Sequence, residues 1–274
     1  MILPAVTWLL FVVLALHYGF TWVNAQAGTA LPHLGDVPFT LVFTGFSLLH
    51  AWQRLGSRRT VAFFVITALV SWCFEQVGVS TGLIYGAYHY SDKLGAKLGA
   101  VPLIIPLAWF MMIYASWTVA GVLLGGQDQP EAAPARRMGP LAARAVVAAL
   151  VMTAWDTVMD PGMARSGNWV WENGGAYFGV PLQNYGGWMV TTVTVYLLAE
   201  ISFRLLGRDR RPPGSRLFDA LPVFAYALVA CDGVLVGRQA ELRVSAAFSM
   251  CLVAVVALCR LAIIRPTAAS VNNP

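Results

Sequence analysis

Residues 101–124 read VPLIIPLAWFMMIYASWTVAGVLL and contain no Asp, Glu, Lys, Arg or His. An α-helix needs about 20 predominantly apolar residues to cross the hydrocarbon core of a bilayer, so this stretch is long enough to span it. It also lacks the alternation of apolar and polar residues that marks the strands of a membrane β-barrel. The stretch therefore predicts a helical, membrane-embedded fold.

The rest of the chain has the same character. Of its 274 residues, 58% are hydrophobic and 11% are charged, which is too apolar for a soluble domain. We expect the first helix to be retained, because residues 1–16 lack the positive charge that opens a cleaved signal peptide. The prediction is an all-α, polytopic transmembrane bundle in a single domain, residues 1–274, with about eight spans or, alternatively, seven. The spans are 2–23, 37–53 (the weakest), 60–78, 101–124, 139–159, 186–206, 217–236 and 243–264.

The basic residues predict an orientation. If both termini are cytoplasmic, the cytoplasmic side carries all but five of the 18 Lys and Arg residues, as the positive-inside rule requires. The five on the other side are Lys93, Lys97, Arg165, Arg238 and Arg243. We therefore expect a multi-pass protein of the cell membrane with membrane lipid as a partner. No nucleic acid is expected, because no basic domain lies outside the membrane.

Two stretches of the chain repeat one pattern, in copies at about 60–124 and 139–206. Each has acid at the end of an apolar helix, then a loop rich in Gly and Tyr, then Val-Pro-Leu, with the proline seven residues before a tryptophan. Both copies run in the same direction across the membrane, so they predict a parallel repeat of the kind known in transporters. The motif-bearing core is residues 70–190. Its long connections, 79–100 and 160–185, fall on one predicted side and are expected to cover the bundle mouth.

Acidic residues at bilayer depth are costly and usually mark a functional site. Asp156 and Asp160 are four residues apart, so both lie on one helix face. Two carboxylates that close cannot both ionise cheaply, so one is expected to keep its proton and serve as an acid. In the alternative interpretation, Asp160 marks a helix exit and Asp156 bonds to a neighbouring helix. Glu75 is either a third carboxyl on the same cavity or a partner of His89 or Lys93.

Aromatic residues are concentrated near these acids. Some are expected to be ordinary residues of the membrane interface. Together they would stabilise a carbocation, because aromatic faces attract cations. Gln183 and Asn184 are candidates either to orient a water molecule or to cap a helix. The aromatic residues are Tyr85, Tyr88, Tyr90, Trp109, Trp155, Trp169, Trp171, Tyr177, Tyr185 and Trp188.

The sequence also excludes several classes of chemistry. The four histidines are scattered, and no phosphate-binding loop, dinucleotide fingerprint or paired Asp-rich motif is present. We interpret the four cysteines, Cys73, Cys231, Cys251 and Cys259, as small buried apolar residues. Two functions remain, both without metal or cofactor: acid catalysis on a lipophilic substrate, or proton-coupled transport through a transporter or channel.

Several motifs taken together resemble a known family. They are Glu75-Gln-Val-Gly-Val-Ser-Thr-Gly82, Tyr85-Gly-Ala-Tyr-His-Tyr90, Gly99-Ala-Val-Pro-Leu103, Pro106-Leu-Ala-Trp-Phe-Met-Met112, Ala154-Trp-Asp-Thr-Val-Met-Asp-Pro-Gly162 and Tyr177-Phe-Gly-Val-Pro-Leu182. They resemble the carotenoid-biosynthesis membrane proteins that include the CruF-type carotenoid hydratases. The resemblance covers residues 70–190. Tyr185 departs from it, because many members have Phe there.

The resemblance implies a cofactor-independent hydro-lyase that adds water across the terminal 1,2 double bond of an acyclic carotenoid, giving a tertiary 1-hydroxy product. The carotenoid is expected to be lycopene-like, γ-carotene-like or a longer C50 precursor, and other carotenoid-pathway enzymes are expected as partners. The predicted catalytic residues are Glu75, Asp156 and Asp160, with one Asp of the pair as the acid and no metal. The predicted substrate-binding residues are Tyr88, Tyr90, Trp109, Trp155, Trp171, Tyr177, Asn184 and Trp188.

Overall fold

A computed structural model describes residues 2–125, 138–207, 215–237 and 239–263, so Arg238 lies outside the described residues. In this part of the chain the fold is an all-α bundle, which confirms the predicted class. Its long helices are α1 (Ile2–Ala27), α2 (Asp36–Leu55), α3 (Ser57–Thr81), α4 (Ile105–Leu123), α5 (Met138–Arg165), α6 (Leu182–Leu206), α7 (Arg216–Leu235) and α8 (Ala240–Ile263). Helix α8 contains a π-helical turn at Ala247–Cys251.

Helix α4 is the centre of the bundle. It packs against α2, α3, α5, α7 and α8, and most of its side chains are buried. A helix surrounded by others has no polar face, which explains why residues 105–123 are apolar all round. The predicted span began too early, because Val101–Pro102 forms a strand and the helix begins at Ile105. Pro106 suits this start, since the first turn of a helix needs no N–H from it.

Seven of the described long helices are apolar enough to cross a membrane by length and composition, and α2 is the long helix that falls short. Nevertheless α2 runs antiparallel to α1, because Gln53 bonds Thr7 while Phe39 packs on Tyr18. It runs parallel to α4, as expected of an even-numbered pass. The hydroxyls of Thr44 and Ser47 donate to carbonyl oxygens of α4 at 2.9 and 3.0 Å. The polar residues of α2 thus face another helix instead of lipid.

Helix α5 continues to Arg165, through Pro161. The interpretation of Asp160 as a helix exit was therefore wrong, since Asp160 lies more than one turn before the end. A proline inside a helix removes one backbone hydrogen bond, a loss that neighbouring helices can compensate inside a membrane protein.

The two long connections form a lid over one end of the bundle. Strand β1 (Tyr88–Tyr90) pairs antiparallel with β4 (Trp169–Trp171), so that Tyr88 lies opposite Trp171 and Tyr90 opposite Trp169. A short hairpin of β2 (Lys97–Leu98) and β3 (Val101–Pro102) lies beside them. Successive side chains of a strand point to opposite faces. The aromatic residues of β1 and β4 therefore share one face, while His89 pairs with Glu172 on the exposed one.

Tyr85 anchors this lid to the bundle. Its hydroxyl lies 2.8 Å from the hydroxyl of Thr191 on α6. Its ring fills the space left by two glycines: a Cβ on Gly78 would lie 2.7 Å, and one on Gly187 2.5 Å, from ring carbons of Tyr85. Any larger residue at these two positions would displace the ring and with it the root of the lid.

The interpretation of the cysteines was wrong. Cys73, Cys231 and Cys259 are exposed on the outer surface of their helices, and Cys251 is half-buried. In a membrane protein the exterior of the bundle faces lipid, so a small apolar side chain is as well placed outside as inside.

Candidate active site

A cavity of about 180 Å³ lies beneath the lid. Its walls come from α2 to α6 and from the inner faces of β1 and β4. Of the predicted substrate-binding residues, all but Tyr177 line it: Tyr88, Tyr90, Trp109, Trp155, Trp171, Asn184 and Trp188. Tyr177 instead packs on Tyr185, and its hydroxyl lies 2.8 Å from that of Ser245 on α8.

Glu75 lies in the cavity wall near the end of α3 and is 4% exposed. Its Oε2 accepts hydrogen bonds from the hydroxyls of Tyr88 and Tyr90, the latter at 2.8 Å. Its Oε1 accepts one from the indole nitrogen of Trp109 at 3.0 Å. These partners differ from the predicted alternatives, His89 and Lys93. Three donors on one carboxylate are the kind of arrangement that compensates a buried negative charge.

The hydroxyls of Tyr88 and Tyr90 stay protonated and therefore always donate hydrogen bonds to Glu75. Burial, followed by the negative charge of Glu75, raises the pKa of Tyr88 and of Tyr90 well above the ordinary value for tyrosine. Both hydroxyls therefore keep their protons throughout the physiological pH range.

Asp156 and Asp160 are bridged by one side-chain amide. The Nδ2 of Asn184, on α6, donates to Oδ2 of Asp156 at 2.9 Å and to Oδ2 of Asp160 at 2.6 Å. Asn184 thus does not cap its helix, whose N-cap residue is Pro181, and its predicted role in orienting water stays a prediction. The other oxygen of Asp160 accepts from the indole nitrogen of Trp169 at 2.6 Å. The two carboxyl groups and the amide form one buried polar unit.

The two aspartates differ in their access to the cavity. Asp160 lines it, whereas Asp156 is completely buried behind it and does not. The Oδ1 of Asp156 has no hydrogen-bond partner among the described residues. A charged oxygen without a partner in a dry interior is very costly, so this environment favours a shared proton within the pair.

Tryptophan rings form a continuous wall between the two acids. Trp109 and Trp188 stack with their centroids 4.1 Å apart at an interplanar angle of 20°. Trp155 contacts Trp188 edge-on at 5.8 Å. Trp109 bonds Glu75 on α3, while Trp155 precedes Asp156 on α5, so the wall connects the two acidic sites. Aromatic ring faces in a mainly apolar cavity are well suited to a cationic intermediate.

Several cavity residues were not predicted as site residues. Trp169 was predicted to belong to the aromatic residues near the acids but not to the substrate-binding residues, although it lies two residues from Trp171 and shares its strand face. Met159 and Met163 lie beside Asp160 on α5, where helical spacing alone does not separate cavity from core. Nothing in the sequence marks Asp36, in the first turn of α2, as a cavity residue, because a charged residue at the start of a membrane span is common.

Within the described residues, no three His, Cys, Asp or Glu side chains are grouped so that they could hold a metal ion.

Asn184→Leu would deprive two buried carboxyl groups of a donor. Because an unsatisfied buried polar group costs about 1–3 kcal/mol, we expect this variant to unfold at a clearly lower temperature in detergent. Thr194→Val, on the exposed face of the same helix, is the matched control and should unfold like the unaltered protein. Equal unfolding temperatures for the two variants would contradict the bridging role of Asn184.

A sequence profile described as "Carotenoid biosynthesis protein" matches residues 35–256. The matched region contains every residue that lines the cavity. The chain belongs to this family.

This carotenoid biosynthesis protein is 33% identical over 199 residues to a protein of Haloarcula japonica named bisanhydrobacterioruberin hydratase. The match covers 70% of this chain and 64% of that relative, so slightly less than two thirds of the relative's length is represented. No solved structure matches this member of the family.

Proposed function

We propose that this protein hydrates an acyclic carotenoid, adding water across the terminal 1,2 double bond to give a tertiary 1-hydroxy product. The observation that carries the proposal is one cavity that holds Glu75 and Asp160 within a wall of aromatic and apolar side chains. Membership of the carotenoid biosynthesis family and a relative named as a hydratase support it.

Asp160 is the acid in this proposal. The Asp156–Asn184–Asp160 unit holds a proton, because two adjacent buried carboxylates cannot both carry a charge cheaply. Of the two, Asp160 borders the cavity. Transfer of its proton to C2 breaks the O–H bond and uses the electron pair of the double bond to form a C–H bond. The positive charge is then left on C1, a tertiary centre.

Glu75 is the base. Its three donors favour the ionised form, which attracts the cation and holds a water molecule for attack at C1. A C–O bond forms and the water proton passes to Glu75. Proton exchange with solvent then returns a proton to Asp160 and removes one from Glu75. The stacked rings of Trp109 and Trp188 stabilise the cation until water captures it.

The two-copy organisation remains part of the proposal. Each copy contributes one acid at the cavity, Glu75 from the first and Asp160 from the second. The tryptophans at equivalent positions of the two copies, Trp109 and Trp188, are the pair that stack. Strands β1 and β4, one from each copy, pair with each other. These contacts support two related halves facing each other across one site.

A proton-coupled transporter or channel is not favoured. The cavity lies at the lid end of the bundle. Farther from the lid, large side chains fill the space between the helices. Phe63, Phe110 and Tyr196, toward the other end, are completely buried and pack on one another. A transport pathway would require these rings to separate.

The protein is a multi-pass membrane protein by its apolar helices and its family. We infer that it resides in the cell membrane with both termini in the cytoplasm, as the distribution of basic residues suggests. The lid and the cavity would then face away from the cytoplasm, and the carotenoid would reach them from the surrounding lipid.

Pigment analysis in a lycopene-producing host tests the proposed function. Expression of this chain should yield a pigment heavier than lycopene by one water, which the host with an empty vector lacks. Hosts that make γ-carotene or an acyclic C50 carotenoid identify the preferred substrate among the three. If all three pigments stay unchanged while a lycopene hydratase works in the same host, the proposal fails.

A further inference from the structure

Hydration needs a polar reactant, water, and an apolar one, the carotenoid, and the exposure of the residues that line the cavity indicates where each can enter. Among the residues that line it, Asp36 is the one that is exposed. Asp36 lies in the first turn of α2, directly after the irregular segment 28–35, and therefore at the water-facing end of the bundle. The opening thus carries a negatively charged rim.

The rim is joined to the lid. Asp36 Oδ2 accepts a hydrogen bond from the side-chain amide of Asn168 at 3.1 Å. The backbone oxygen of Asn168 in turn accepts from the backbone nitrogen of Ser91, which follows β1, at 3.0 Å. Thr40, one turn below Asp36, lines the cavity and donates its hydroxyl to the Asp36 carbonyl at 2.8 Å.

The other side of the opening is apolar. The half-buried residues of the cavity wall are all apolar or aromatic, and they reach the outer surface of the bundle: Phe39, Ala108, Met159, Met163 and Trp171. Phe39 lies one turn deeper along α2 than Asp36. The opening is therefore polar at Asp36, next to water, and apolar from Phe39 onward, next to lipid.

The size of the cavity indicates that the carotenoid and water reach it by different routes. A cavity of about 150 Å³ accommodates benzene, so the 180 Å³ found here holds a carotenoid end group and little more. The remaining polyene must leave through the opening, and its apolar side is the only part compatible with a hydrocarbon chain. Water then has to enter over the polar rim, where it finds the two or more polar partners that an ordered water needs.

We propose that Asp36 is a positioning residue that admits and orients water for capture of the cation, with Thr40 and Asn168 as its partners on the rim. The inference rests on the proposed hydration. It assigns Asp36 to the second step alone: protonation at C2 by Asp160 does not require it, whereas attack of water oxygen on C1 does. When water does not capture the cation, C2 gives up one of its two hydrogens as a proton to the Asp160 carboxylate, and the electron pair of that C–H bond re-forms the alkene.

Deuterium labelling separates these two steps. The enzyme, equilibrated in D2O and present in excess over substrate, gives two products: hydrated carotenoid, and recovered carotenoid that carries deuterium. In Asp36→Leu we expect hydration to fall by about tenfold or more, the factor lost with one hydrogen bond to a charged group. The ratio of deuterium in recovered carotenoid to hydrated product should rise by a similar factor.

Two further variants of the rim and one control complete the experiment. Asp36→Asn keeps an acceptor for Asn168 but loses the charge, so its ratio should lie between those of Asp36→Leu and the unaltered protein. Thr40→Val alters the same rim and should shift the ratio in the same direction as Asp36→Leu. Asp92→Leu is the control. It removes an exposed carboxyl of the lid that lies outside the cavity, so it should change neither protonation at C2 nor attack of water at C1.

The result that overturns the inference is an unchanged ratio in Asp36→Leu and Thr40→Val, whether hydration falls or not. Both steps then depend on Asp36 equally, as they would if its role were structural. Failure of the proposed function looks different, because the unaltered protein would then neither hydrate nor label the carotenoid.

Discussion

Asp160→Asn should lower the rate of carotenoid hydration by about 10²–10⁴-fold, the usual contribution of a positioned general acid. Asparagine has nearly the shape of aspartate and still accepts the hydrogen bond from Trp169, which reaches the carboxyl at 2.6 Å. Its NH2 group replaces the oxygen that accepts from Asn184, so the amide of Asn184 has to turn its own oxygen toward it. It has no acidic proton, however, so protonation at C2 should fail while the fold persists. Initial rates of product formation by purified protein in lipid nanodiscs measure the effect.

Asp156→Asn is the matched control, since it alters the neighbouring carboxyl one turn away on the same helix. Asp156 does not border the cavity and acts on the substrate only through Asn184 and Asp160. Its loss should therefore reduce the rate less than the loss of Asp160. If Asp156→Asn proved the more damaging change, or if Asp160→Asn kept most of the activity, the assignment of the acid would be wrong.

Glu75→Gln should lower the hydration rate by about 10²–10³-fold, because an amide cannot take the proton of the attacking water. The amide NH2 would also replace one carboxylate oxygen, and it would face either the hydroxyls of Tyr88 and Tyr90 or the indole N–H of Trp109. At least one of these donors would then lose its acceptor, at a cost of about 1–3 kcal/mol. We therefore expect a lower unfolding temperature as well as a lower rate.

Deuterium labelling distinguishes Glu75 from Asp160. Glu75→Gln retains the acid, so recovered carotenoid should still gain deuterium in D2O, whereas Asp160→Asn should lose label and product together. Glu172→Gln is the control, because this carboxyl is exposed on the outer face of the lid beside His89. The reverse labelling pattern would exchange the roles of the two acids.

Much of the fold could be predicted from the sequence, because a bilayer demands helices of a given length and apolarity. Helix α2 is instructive. Thr44, Ser47 and His50 lower its hydropathy, yet all three bond to partners on α4 or α7. Composition alone does not reveal whether a polar residue faces water or another helix. The cysteines were misjudged for the converse reason, since lipid and protein interior are equally apolar.

The acids of the site could also be predicted, because their cost at membrane depth singles them out. The division of labour between Asp156 and Asp160 could not. The proposed division depends on packing: Asn184 from α6 bonds both carboxyls, and of the two only Asp160 borders the cavity. The donors around Glu75 likewise come from a strand and a different helix. Asp36 was not predicted, because its place in the cavity wall follows only from the way the helices pack.

Labelled water provides the most direct test of acid-catalysed hydration in this cavity. Purified protein in nanodiscs is incubated without oxygen in H2¹⁸O and given lycopene, γ-carotene or an acyclic C50 carotenoid, and the product is analysed by mass spectrometry. The account predicts a tertiary alcohol with ¹⁸O on C1, formed by the unaltered protein and nearly absent with Asp160→Asn. A product without ¹⁸O, no product from any of the three carotenoids, or equal product from the variant would contradict it.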